Sequence, residues 1–473
     1  MRADPRSQEA TYYRIVTFPE DSARRLEVSA MLRNRDGTLL IATRTGSIWL
    51  LHDPYLDDPK SAKFTLWASG LAQPLGLLAL DGWIYTAQRG ELTRMKDRDG
   101  DGRADVFETV YDGWGISGNY HEYNFGPRVD RDGKLWVTTN KPFGEEPLGK
   151  AHWRGWALRI DPATGTMEPM CAGLRSPAGV EVSPWGDVFY TDNQGEWCNA
   201  SKLAHLEHGD FHGHPHGLVS KQLAGEPFAS IPKPRSGTFM KDLKQTVPQF
   251  KMPAVWFPYD KMGKSPSGML WDLSRGAFGP FGGQLLVGDQ HHASVMRVFL
   301  EKIGGHWQGA CFPFREGFQC GITRLCQGED GSLFCGMTNA GWGSKGNKRQ
   351  GLQRLVWTRE VPLEILTMQL QGDGFLLSFT KPLDADGVAA ARFAIDSYTY
   401  RLESRYGGPE ADKRSLSVAT GALSEDGRSL RVTVRPLRPG YVHELRVRGL
   451  KARDGTPLLH EAAYYTLVRR NAG

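Results

Sequence analysis

Short runs of alternating apolar and polar residues recur along the first three quarters of the chain. In each unit, one alternating run leads into a turn that contains glycine, and a second run follows, as in a β-hairpin. The six turns are Asp36-Gly37, Asp81-Gly82, Asp132-Gly133, Trp185-Gly186, Gly282-Gly283 and Asp330-Gly331. Propeller blades of four strands repeat at about 40 to 50 residues, close to the spacing of most of these units. The pattern therefore predicts an all-β chain with a six-bladed β-propeller over residues 29–358.

A second signature precedes three of these units. Residues 73–76 read QPLG, residues 176–179 read SPAG and residues 265–268 read SPSG. Proline can open a strand, and glycine lets two backbones approach closely. The tetrads therefore predict inner strands that meet near a crowded propeller axis.

The remaining segments depart from this pattern. Residues 1–28 are predicted to be an N-terminal extension, and residues 196–259 a long loop excursion, because neither carries the repeat. Loops this long are commonly lids or binding loops. Residues 362–470 again alternate with period two between Gly and Asp turns, which predicts a separate β-sandwich of the immunoglobulin or fibronectin kind.

Composition excludes several classes of protein. The net charge of +5 comes from 58 basic and 53 acidic residues that are interleaved, which argues against nucleic-acid binding. No apolar run reaches the roughly 20 residues of a membrane span. The first residues contain no apolar stretch, so no signal peptide is expected in the sequence as written. The six cysteines form no CxxC pair, which argues against a zinc ribbon or a dithiol redox site.

An acidic loop carries the sharpest local signal. Carboxylates occupy the first, third, fifth, ninth and twelfth positions of a calcium-loop pattern, with Gly102 at the sixth. The predicted ligands are Asp97, Asp99, Asp101, Asp105 and Glu108. A solvated Asp-rich hairpin is the alternative. A calcium ion here would be structural.

His121 and Arg175 are the candidate catalytic residues. His121 lies between Tyr120 and Tyr123 at the start of one unit and can act as a general base near neutral pH. Arg175 opens the next unit at the equivalent place, where it could orient an anionic group. The alternatives are a structural histidine and an ion pair between neighbouring blades.

Polar and aromatic residues follow three of the units and predict a rim for a polyhydroxylated ligand. The candidate substrate contacts are Tyr120, Tyr123, Asp192, Asn193, Trp197, Gln290, His291 and Trp342. Five histidines between residues 205 and 216 could bind a transition metal or contact substrate, and the sequence leaves both open.

Three stretches resemble the glucose/sorbosone dehydrogenase superfamily. They are HEYNFGPRVDRDGKLWVTT, GLRSPAGVEVSPWGDVFYTDNQG and HGDFHGHP. The resemblance implies a six-bladed propeller that binds pyrroloquinoline quinone (PQQ) and calcium. It also implies that His121 is the catalytic base and that Arg175 contacts the quinone. By the same resemblance, Gln194 and Gly195 are cofactor-binding residues, because the backbone near them lies where the family holds its site calcium.

Two departures from that family concern charge. Tyr120 stands where the dehydrogenases carry an acidic residue, and Gln319 and Gly321 stand near their cofactor-binding arginines. PQQ is a tricarboxylate that needs cations. Lys264, Arg315 and Arg324 are the candidates to replace the missing arginines.

The leading hypothesis is a PQQ-type dehydrogenase that oxidises a sugar or a sugar-derived alcohol or aldehyde. Its electron acceptor would be external, and the resemblance implies a periplasmic or secreted protein. A PQQ-free carbohydrate lyase or hydrolase, and a non-catalytic glycan-binding propeller, are the alternatives.

Overall fold

A computed structural model describes residues 5–20, 24–143 and 151–470. The helices are α1 (Pro5–Tyr12), α2 (Lys221–Ala224) and α3 (Ala385–Ala390), and 3-10 turns cover Pro59–Ser61, Pro215–Ser220 and Met240–Gln245. None of the helices in these ranges is long and apolar enough to cross a membrane. All other regular structure in the described ranges is β.

Strands fill the chain from near its start to its end. The first seventeen are β1 (Tyr13–Thr17), β2 (Val28–Arg33), β3 (Leu39–Thr43), β4 (Ile48–Leu51), β5 (Phe64–Ala68), β6 (Leu78–Leu80), β7 (Trp83–Ala87), β8 (Leu92–Lys96), β9 (Val106–Tyr111), β10 (Asn124–Val129), β11 (Leu135–Thr139), β12 (Trp156–Ile160), β13 (Met167–Ala172), β14 (Gly179–Val182), β15 (Val188–Asp192), β16 (Ser201–Leu206) and β17 (Asp210–Phe211). The next nine are β18 (Thr238–Phe239), β19 (Val255–Phe257), β20 (Pro266–Trp271), β21 (Leu285–Asp289), β22 (Ser294–Ile303), β23 (His306–Arg315), β24 (Ile322–Gln327), β25 (Leu333–Thr338) and β26 (Gln350–Trp357). The last eight are β27 (Ile365–Gln371), β28 (Gly374–Phe379), β29 (Arg392–Thr399), β30 (Arg401–Leu402), β31 (Ala411–Leu423), β32 (Ser429–Arg435), β33 (Tyr441–Arg448) and β34 (Ala462–Leu467).

The strands assemble into a propeller-like arrangement, which confirms the all-β prediction in its coarse form. Five separate sheets have the orders β1-β26-β25-β24, β2-β3-β4-β5, β6-β7-β8-β9, β10-β11-β12-β13-β17 and β14-β15-β16-β19. The unit predicted as another independent blade, β20-β21-β22-β23, is not separate. It continues through β34 into the C-terminal strands and forms an eleven-stranded sheet.

Side-chain hydrogen bonds link most units to the next around an axis. They run from Ser29 to Pro74, Thr138 to Pro177, Thr191 to Ser267, Ser267 to Ile322 and Thr323 to Val28, all donated by hydroxyl groups to backbone carbonyls over 2.6–3.0 Å. The remaining junction is a backbone contact: a Cβ added at Gly76 would lie 2.0 Å from the Gly126 carbonyl oxygen. The chain of contacts therefore closes on itself.

The predicted tetrads lie at these junctions. A Cβ at Gly179 would meet the Ser267 carbonyl oxygen at 2.2 Å, and one at Gly268 would meet the Thr323 carbonyl oxygen at 2.7 Å. Glycine is needed here because the inner strands of neighbouring sheets approach closer than a side chain allows.

Part of the segment predicted as an N-terminal extension is a strand of a sheet. Tyr13–Thr17 (β1) pairs in antiparallel fashion with β26, so the N-terminal segment supplies the outer strand of the last sheet. The chain's first strand and its last propeller unit are thereby joined.

The excursion predicted over residues 196–259 is shorter than expected. Ser201–Leu206 (β16) and Val255–Phe257 (β19) are strands of one sheet, so the insertion lies between them. Two short strands tie the insertion down: β17 pairs with β13, and β18 pairs with β30 of the C-terminal region.

The C-terminal strands enclose a second apolar core. This core combines Ala310 and Phe312 of β23 with side chains from β27, β28, β32, β33 and β34. A separate sandwich domain is not confirmed, because β23 hydrogen-bonds directly to β34 and the sheet is continuous.

Candidate active site at the propeller axis

A cavity of about 850 Å³, its open mouth included, lies where the loops that precede the inner strands converge. His121 and Arg175 both line it, as do Arg324, Asn193 and Tyr406. The cavity therefore unites residues that are far apart in the chain, from the first propeller units to the C-terminal region.

The loop that carries His121 is fixed by buried polar groups. The Asn119 Oδ1 atom accepts hydrogen bonds from the backbone amides of His121 and Phe143, both at 3.0 Å. The buried Glu122 carboxylate accepts hydrogen bonds from the Ser117 amide and hydroxyl at 2.8 and 2.6 Å. Glu122 therefore shapes the loop.

The His121 ring is held in one tautomer. Its Nδ1 atom lies 2.8 Å from the Lys141 carbonyl oxygen, which can only accept, so Nδ1 carries the hydrogen. Its Nε2 atom lies 3.3 Å from Ser176 Oγ and can accept from that hydroxyl, while Ser176 Oγ accepts a hydrogen bond from Asn140 Nδ2. Burial, followed by the positive charge of Arg175, lowers the pKa of His121 to about 3. The imidazole is therefore neutral and presents an electron pair on Nε2.

Arg175 is buried and paired. Its guanidinium Nη2 donates to the Glu196 carboxylate at 3.0 Å, and Lys141 Nζ donates to the other oxygen of the same carboxylate. A Cβ at Gly195 would lie 1.8 Å from Arg175 Nε, so the guanidinium packs directly on the Gly195 backbone. Glu196 thus compensates part of the positive charge beside the cavity.

Aspartates at strand ends position the loops of two units in the same way. Asp192, at the end of β15, accepts the backbone amides of Arg175 and Ser176 at 3.2 and 2.7 Å. Asp289, at the end of β21, accepts the amides of Lys264 and Ser265, both at 2.8 Å. Each carboxylate therefore fixes the loop that precedes the inner strand of its own unit.

Two further arginines, Arg324 and Arg44, line the cavity and add positive charge to it. Arg324 donates to the carbonyl oxygens of Ala178 and Leu75 at 3.0 and 2.9 Å, and Arg44 donates to the Tyr123 hydroxyl at 3.0 Å. Burial, then the charges of Arg128 and Arg44, lower the pKa of Arg324 to about 9. Among the described residues no carboxylate lies within ion-pair distance of Arg324. An anionic group in the cavity would supply that missing charge.

Aromatic side chains surround the mouth of the cavity. Tyr120, Phe143, Trp342 and Tyr406 all line it and are all exposed. Tyr406 comes from the C-terminal region, which the sequence pattern predicts to be a separate domain.

The structure brings most of the predicted rim together. Of the candidate substrate and cofactor residues, those that line the cavity are Tyr120, Tyr123, Arg175, Asn193, Gln290, Arg324 and Trp342. Those outside its lining are Asp192, Gln194, Gly195, Trp197, Lys264 and His291. Asp192 is buried and accepts hydrogen bonds from backbone amides. Gly195 has no side chain and so leaves room for the Arg175 guanidinium.

Two of the three cations proposed to replace the family's arginines are engaged elsewhere. Lys264 Nζ lies 3.3 Å from Asp260, and Arg315 Nη1 lies 3.2 Å from Glu9. Arg324 lines the cavity. Arg44 does so too, although no motif in the sequence marked it.

The acidic loop between β8 and β9 brings three of its five carboxylates together. Candidate ligand atoms of Asp97, Asp99 and Asp101 lie within 4.8 Å of one another. Asp105 instead accepts the Arg98 amide at 2.8 Å, and Glu108 accepts Arg94 at 2.6 Å. Glu108 is therefore not part of the cluster.

The histidines between residues 205 and 216 do not form a metal cluster. In the described ranges, Asp97, Asp99 and Asp101 are the one group of three with ligand atoms close enough to hold an ion. His205 pairs with Asp187 at 3.0 Å, and His212 and His214 are buried. Burial also argues against a direct contact of His205, His212 and His214 with substrate, whereas His208 is exposed.

Comparisons with known proteins support the fold. The profile of a family described as "Domain of unknown function (DUF7133)" matches residues 16–249. No curated protein matches the chain.

Several solved structures share the architecture at low identity. An oxidoreductase described as a glucose dehydrogenase from Thermus thermophilus is 19% identical, with a TM-score of 0.51 over 73% of this chain and 100% of its own. The PQQ-bound aldose sugar dehydrogenase from Streptomyces coelicolor is 15% identical, with a TM-score of 0.50 over 73% of this chain and 98% of its own. A carbohydrate-active enzyme of family AA12 from Trichoderma reesei is 13% identical, with a TM-score of 0.52 over 73% of this chain and 96% of its own. At these identities the likeness is one of fold.

Proposed function

We propose that the axial cavity is the active site of a PQQ-type oxidoreductase that oxidises a sugar or a sugar-derived alcohol or aldehyde. The observation that carries this proposal is the neutral His121, whose Nδ1 is fixed on the Lys141 carbonyl and whose Nε2 lies at the cavity wall beside Ser176. A general base needs an electron pair directed at the reacting hydroxyl group.

The donor set of the cavity fits an anionic cofactor. Arg324 and Arg44 offer guanidinium groups, which bind carboxylates more strongly than neutral donors do. The side-chain amide oxygens of Asn140 and Asn193, which are buried without a hydrogen-bond partner among the described residues, could instead accept from substrate hydroxyl groups. When bound, PQQ supplies a hydride acceptor, and Arg324, Arg44 and Arg175 would hold its carboxylate and carbonyl oxygens.

His121 would remove the proton from the substrate hydroxyl through Nε2. Nearby positive charge from Arg175, Lys141 and Arg89 contributes to its low pKa. An anionic ligand that offsets this charge raises the basicity of the imidazole. The site is thus a weak base when empty and a stronger base when loaded with an anion.

Titration of the purified chain with PQQ and calcium tests this function. We expect a new visible absorption on binding and dye-coupled oxidation of aldoses. Arg44→Gln and Arg324→Gln should each weaken PQQ binding at least roughly tenfold, because each removes a charge-assisted contact. Arg94→Gln, whose partner Glu108 lies outside the cavity, is the matched control. Absence of PQQ binding to the wild-type protein would refute the proposal.

One observation favours a second candidate, a PQQ-free lyase that acts on an acidic polysaccharide. The ring of Tyr123 lies 5.9 Å from that of His121, and its hydroxyl accepts from Arg44. Such a pair could serve as acid and base while Arg44 binds the substrate carboxylate. This enzyme would form an unsaturated, ultraviolet-absorbing product without added cofactor.

We also propose that Asp97, Asp99 and Asp101 bind a structural calcium ion, since clustered carboxylate oxygens suit this cation. Calcium should raise the melting temperature by a few degrees, because a ligand that binds only the folded state stabilises it. Asp99→Asn should reduce this rise, whereas Asp112→Asn, at an exposed position after β9, should not. An equal response of all three proteins to calcium and chelator would contradict the site.

At the level of the fold, we infer that β20–β23 is the sixth blade of the propeller. We further infer that residues 362–470 form a sandwich built onto its edge. The closed series of junctions and the separate C-terminal core support this division.

A further inference from the structure

We propose that Tyr406, which the C-terminal region supplies, is a positioning residue that forms an aromatic wall for the sugar substrate. This inference rests on the proposed function, because it concerns the ligand of the same cavity. The C-terminal region is then a part of the active site and not an appended module.

The segment that carries Tyr406 is fastened to the loop beside Arg175. Five hydrogen bonds join residues 403–408 to residues 195–199. They run from Trp197 N to Glu403 O, Glu403 N to Asn199 Oδ1, Asn199 Nδ2 to Gly407 O, Gly407 N to Gly195 O and Gly408 N to Asn199 O, over 2.8–3.1 Å. In addition, Tyr406 and Glu196 form an antiparallel bridge. The segment is thus held in one place over the cavity.

Glycines make this docking possible. Gly407 has a φ of +66°, and a Cβ there would lie 2.2 Å from Gln194 Nε2. A Cβ at Gly408 would lie 2.8 Å from Asn199 Nδ2. The backbones of the two loops therefore approach closer than side chains would allow. Gln194 packs against Gly407 in this contact.

Tyr406 itself remains about half exposed. It is 47% exposed, lines the cavity, and lies 5.4 Å from the Arg175 guanidinium carbon. With Tyr120, Phe143 and Trp342, which are also exposed and line the same cavity, Tyr406 forms a cluster of exposed aromatic side chains. A clustered apolar surface of this kind marks a ligand-binding groove. The apolar C–H face of a sugar ring packs on such an aromatic face, while its hydroxyl groups reach polar neighbours.

The position of Tyr406 relates the wall to the base. Arg175 contacts Tyr406 on one side and contributes to the electrostatic field at His121 on the other. A sugar seated against Tyr406 would therefore lie within the same cavity as Nε2 of His121. Removing the Tyr406 ring should weaken substrate binding. It should also lower kcat, because a smaller fraction of the bound substrate would be correctly oriented.

The test compares Tyr406→Ala, Tyr406→Phe and Trp185→Ala in the full chain. Calorimetric binding of D-glucose, D-galactose and D-xylose is measured for each, and turnover is measured with PQQ, calcium and dye. Tyr406→Ala should weaken binding of the preferred sugar roughly tenfold and also lower kcat, and Tyr406→Phe should restore both because it keeps the ring. Trp185, exposed on a turn outside the cavity lining, should give wild-type values when replaced.

A second variant tests the fastening of the segment. Asn199→Ala removes two of the five hydrogen bonds that hold residues 403–408, while Tyr406 stays present, and it should weaken sugar binding in the same direction. Its melting temperature is measured alongside to establish that the chain is folded.

The outcomes separate this inference from the proposed function. Sugar binding that depends on Tyr406, without any turnover, would refute the proposed oxidation but support the role of Tyr406 in sugar binding. Wild-type affinity in Tyr406→Ala, or a Tyr406→Phe variant as weak as Tyr406→Ala, would overturn the aromatic wall. Failure of the wild-type chain to bind any of the three sugars would overturn it as well.

Discussion

At the scale of single residues, the site depends on how the charges around His121 are balanced. Five cationic side chains lie in or beside the cavity, and they are Arg44, Arg89, Lys141, Arg175 and Arg324. Glu196 accepts hydrogen bonds from both Lys141 and Arg175. Burial first, and then this excess positive charge, keep His121 neutral. The same charge makes an anion the natural ligand of the cavity.

Replacement of His121 by glutamine should abolish most of the proposed turnover. The side-chain amide keeps a polar group but cannot accept a proton, so we expect kcat to fall at least roughly a hundredfold. PQQ binding should stay within a few-fold of wild type, because the arginines remain. Dye reduction and absorbance titration measure the two quantities. His52→Gln, whose ring contacts Thr65 away from the cavity, is the control. A fully active His121→Gln variant would assign the base elsewhere.

Replacement of Gly195 by alanine should disturb Arg175 without touching the cavity directly. The new methyl group would lie 1.8 Å from Arg175 Nε, so the guanidinium must move away from its place beside Glu196. We expect the loss of its positioning to reduce kcat/KM roughly ten- to a hundredfold. Gly282→Ala is the matched control, since no atom lies within 4 Å of the place that its new methyl group would take. Equal kinetics for the two variants would show that the position of Arg175 does not matter.

At the scale of elements, the repeat itself explains where the site residues lie. Each tetrad leads into an inner strand, and in two units an aspartate at the end of the next strand holds the amides of the tetrad. Residues just before the tetrads are therefore fixed at one end of the axis. Arg175 occupies this place in its unit, and His121 lies in the corresponding loop before β10.

Replacement of Gly179 by alanine should destabilise the junction between two sheets. The added methyl group would lie 2.2 Å from the Ser267 carbonyl oxygen, so neighbouring inner strands must separate. We expect a loss of about 1–3 kcal/mol in the free energy of unfolding. Chemical denaturation measures it, with Gly90→Ala as the control because no atom lies within 4 Å there. A Gly179→Ala variant as stable as the control would mean that the two strands can separate without loss of stability.

The repeat made the strands, the inner glycines and the presence of His121 and Arg175 in one cavity predictable. Other parts of the site had no such signal. Arg44 belongs to an ordinary strand end, and Tyr406 belongs to a loop that the C-terminal pattern marks only as a turn. Both reach the cavity through contacts between distant segments, which a local pattern does not encode. The pairing of Glu196 with two cations likewise depends on the folded geometry.

At the scale of the whole molecule, long-range contacts close the structure. The β1 strand completes the sheet of β24–β26, and Arg324 reaches across the axis to the carbonyl oxygens of Leu75 and Ala178. The buried ring of His460 joins Glu9 near the N-terminus to Glu364 in the C-terminal region. Folding therefore brings many titratable groups into environments that differ from water.

These groups predict that the protein loses stability on mild acidification. Burial is the main cause that lowers the pKa of several histidines, which are His121 and His443 to about 3, His205 and His216 to about 4, and His212 and His214 further. Unfolded histidine titrates near 6.5, so between that value and the folded pKa the unfolded chain binds more protons, and stability falls as pH drops. Asp210, whose pKa burial raises to about 6, acts in the opposite direction but is a single group.

The pKa of His460 is raised to about 10 by Glu364 and Glu9 despite its burial, so its contribution is complete below about 6.5 and is lost only as pH rises toward 10. The loss of stability on acidification therefore comes from the other histidines and not from His460. We expect the free energy of unfolding to fall by at least about 1 kcal/mol between about pH 7 and pH 5, measured by chemical denaturation. His443→Gln, which removes one buried imidazole, should show a smaller fall over the same interval. Stability that stays level or rises on acidification would mean that these rings accept protons in the folded protein, and the neutral state of His121 would then lose its basis.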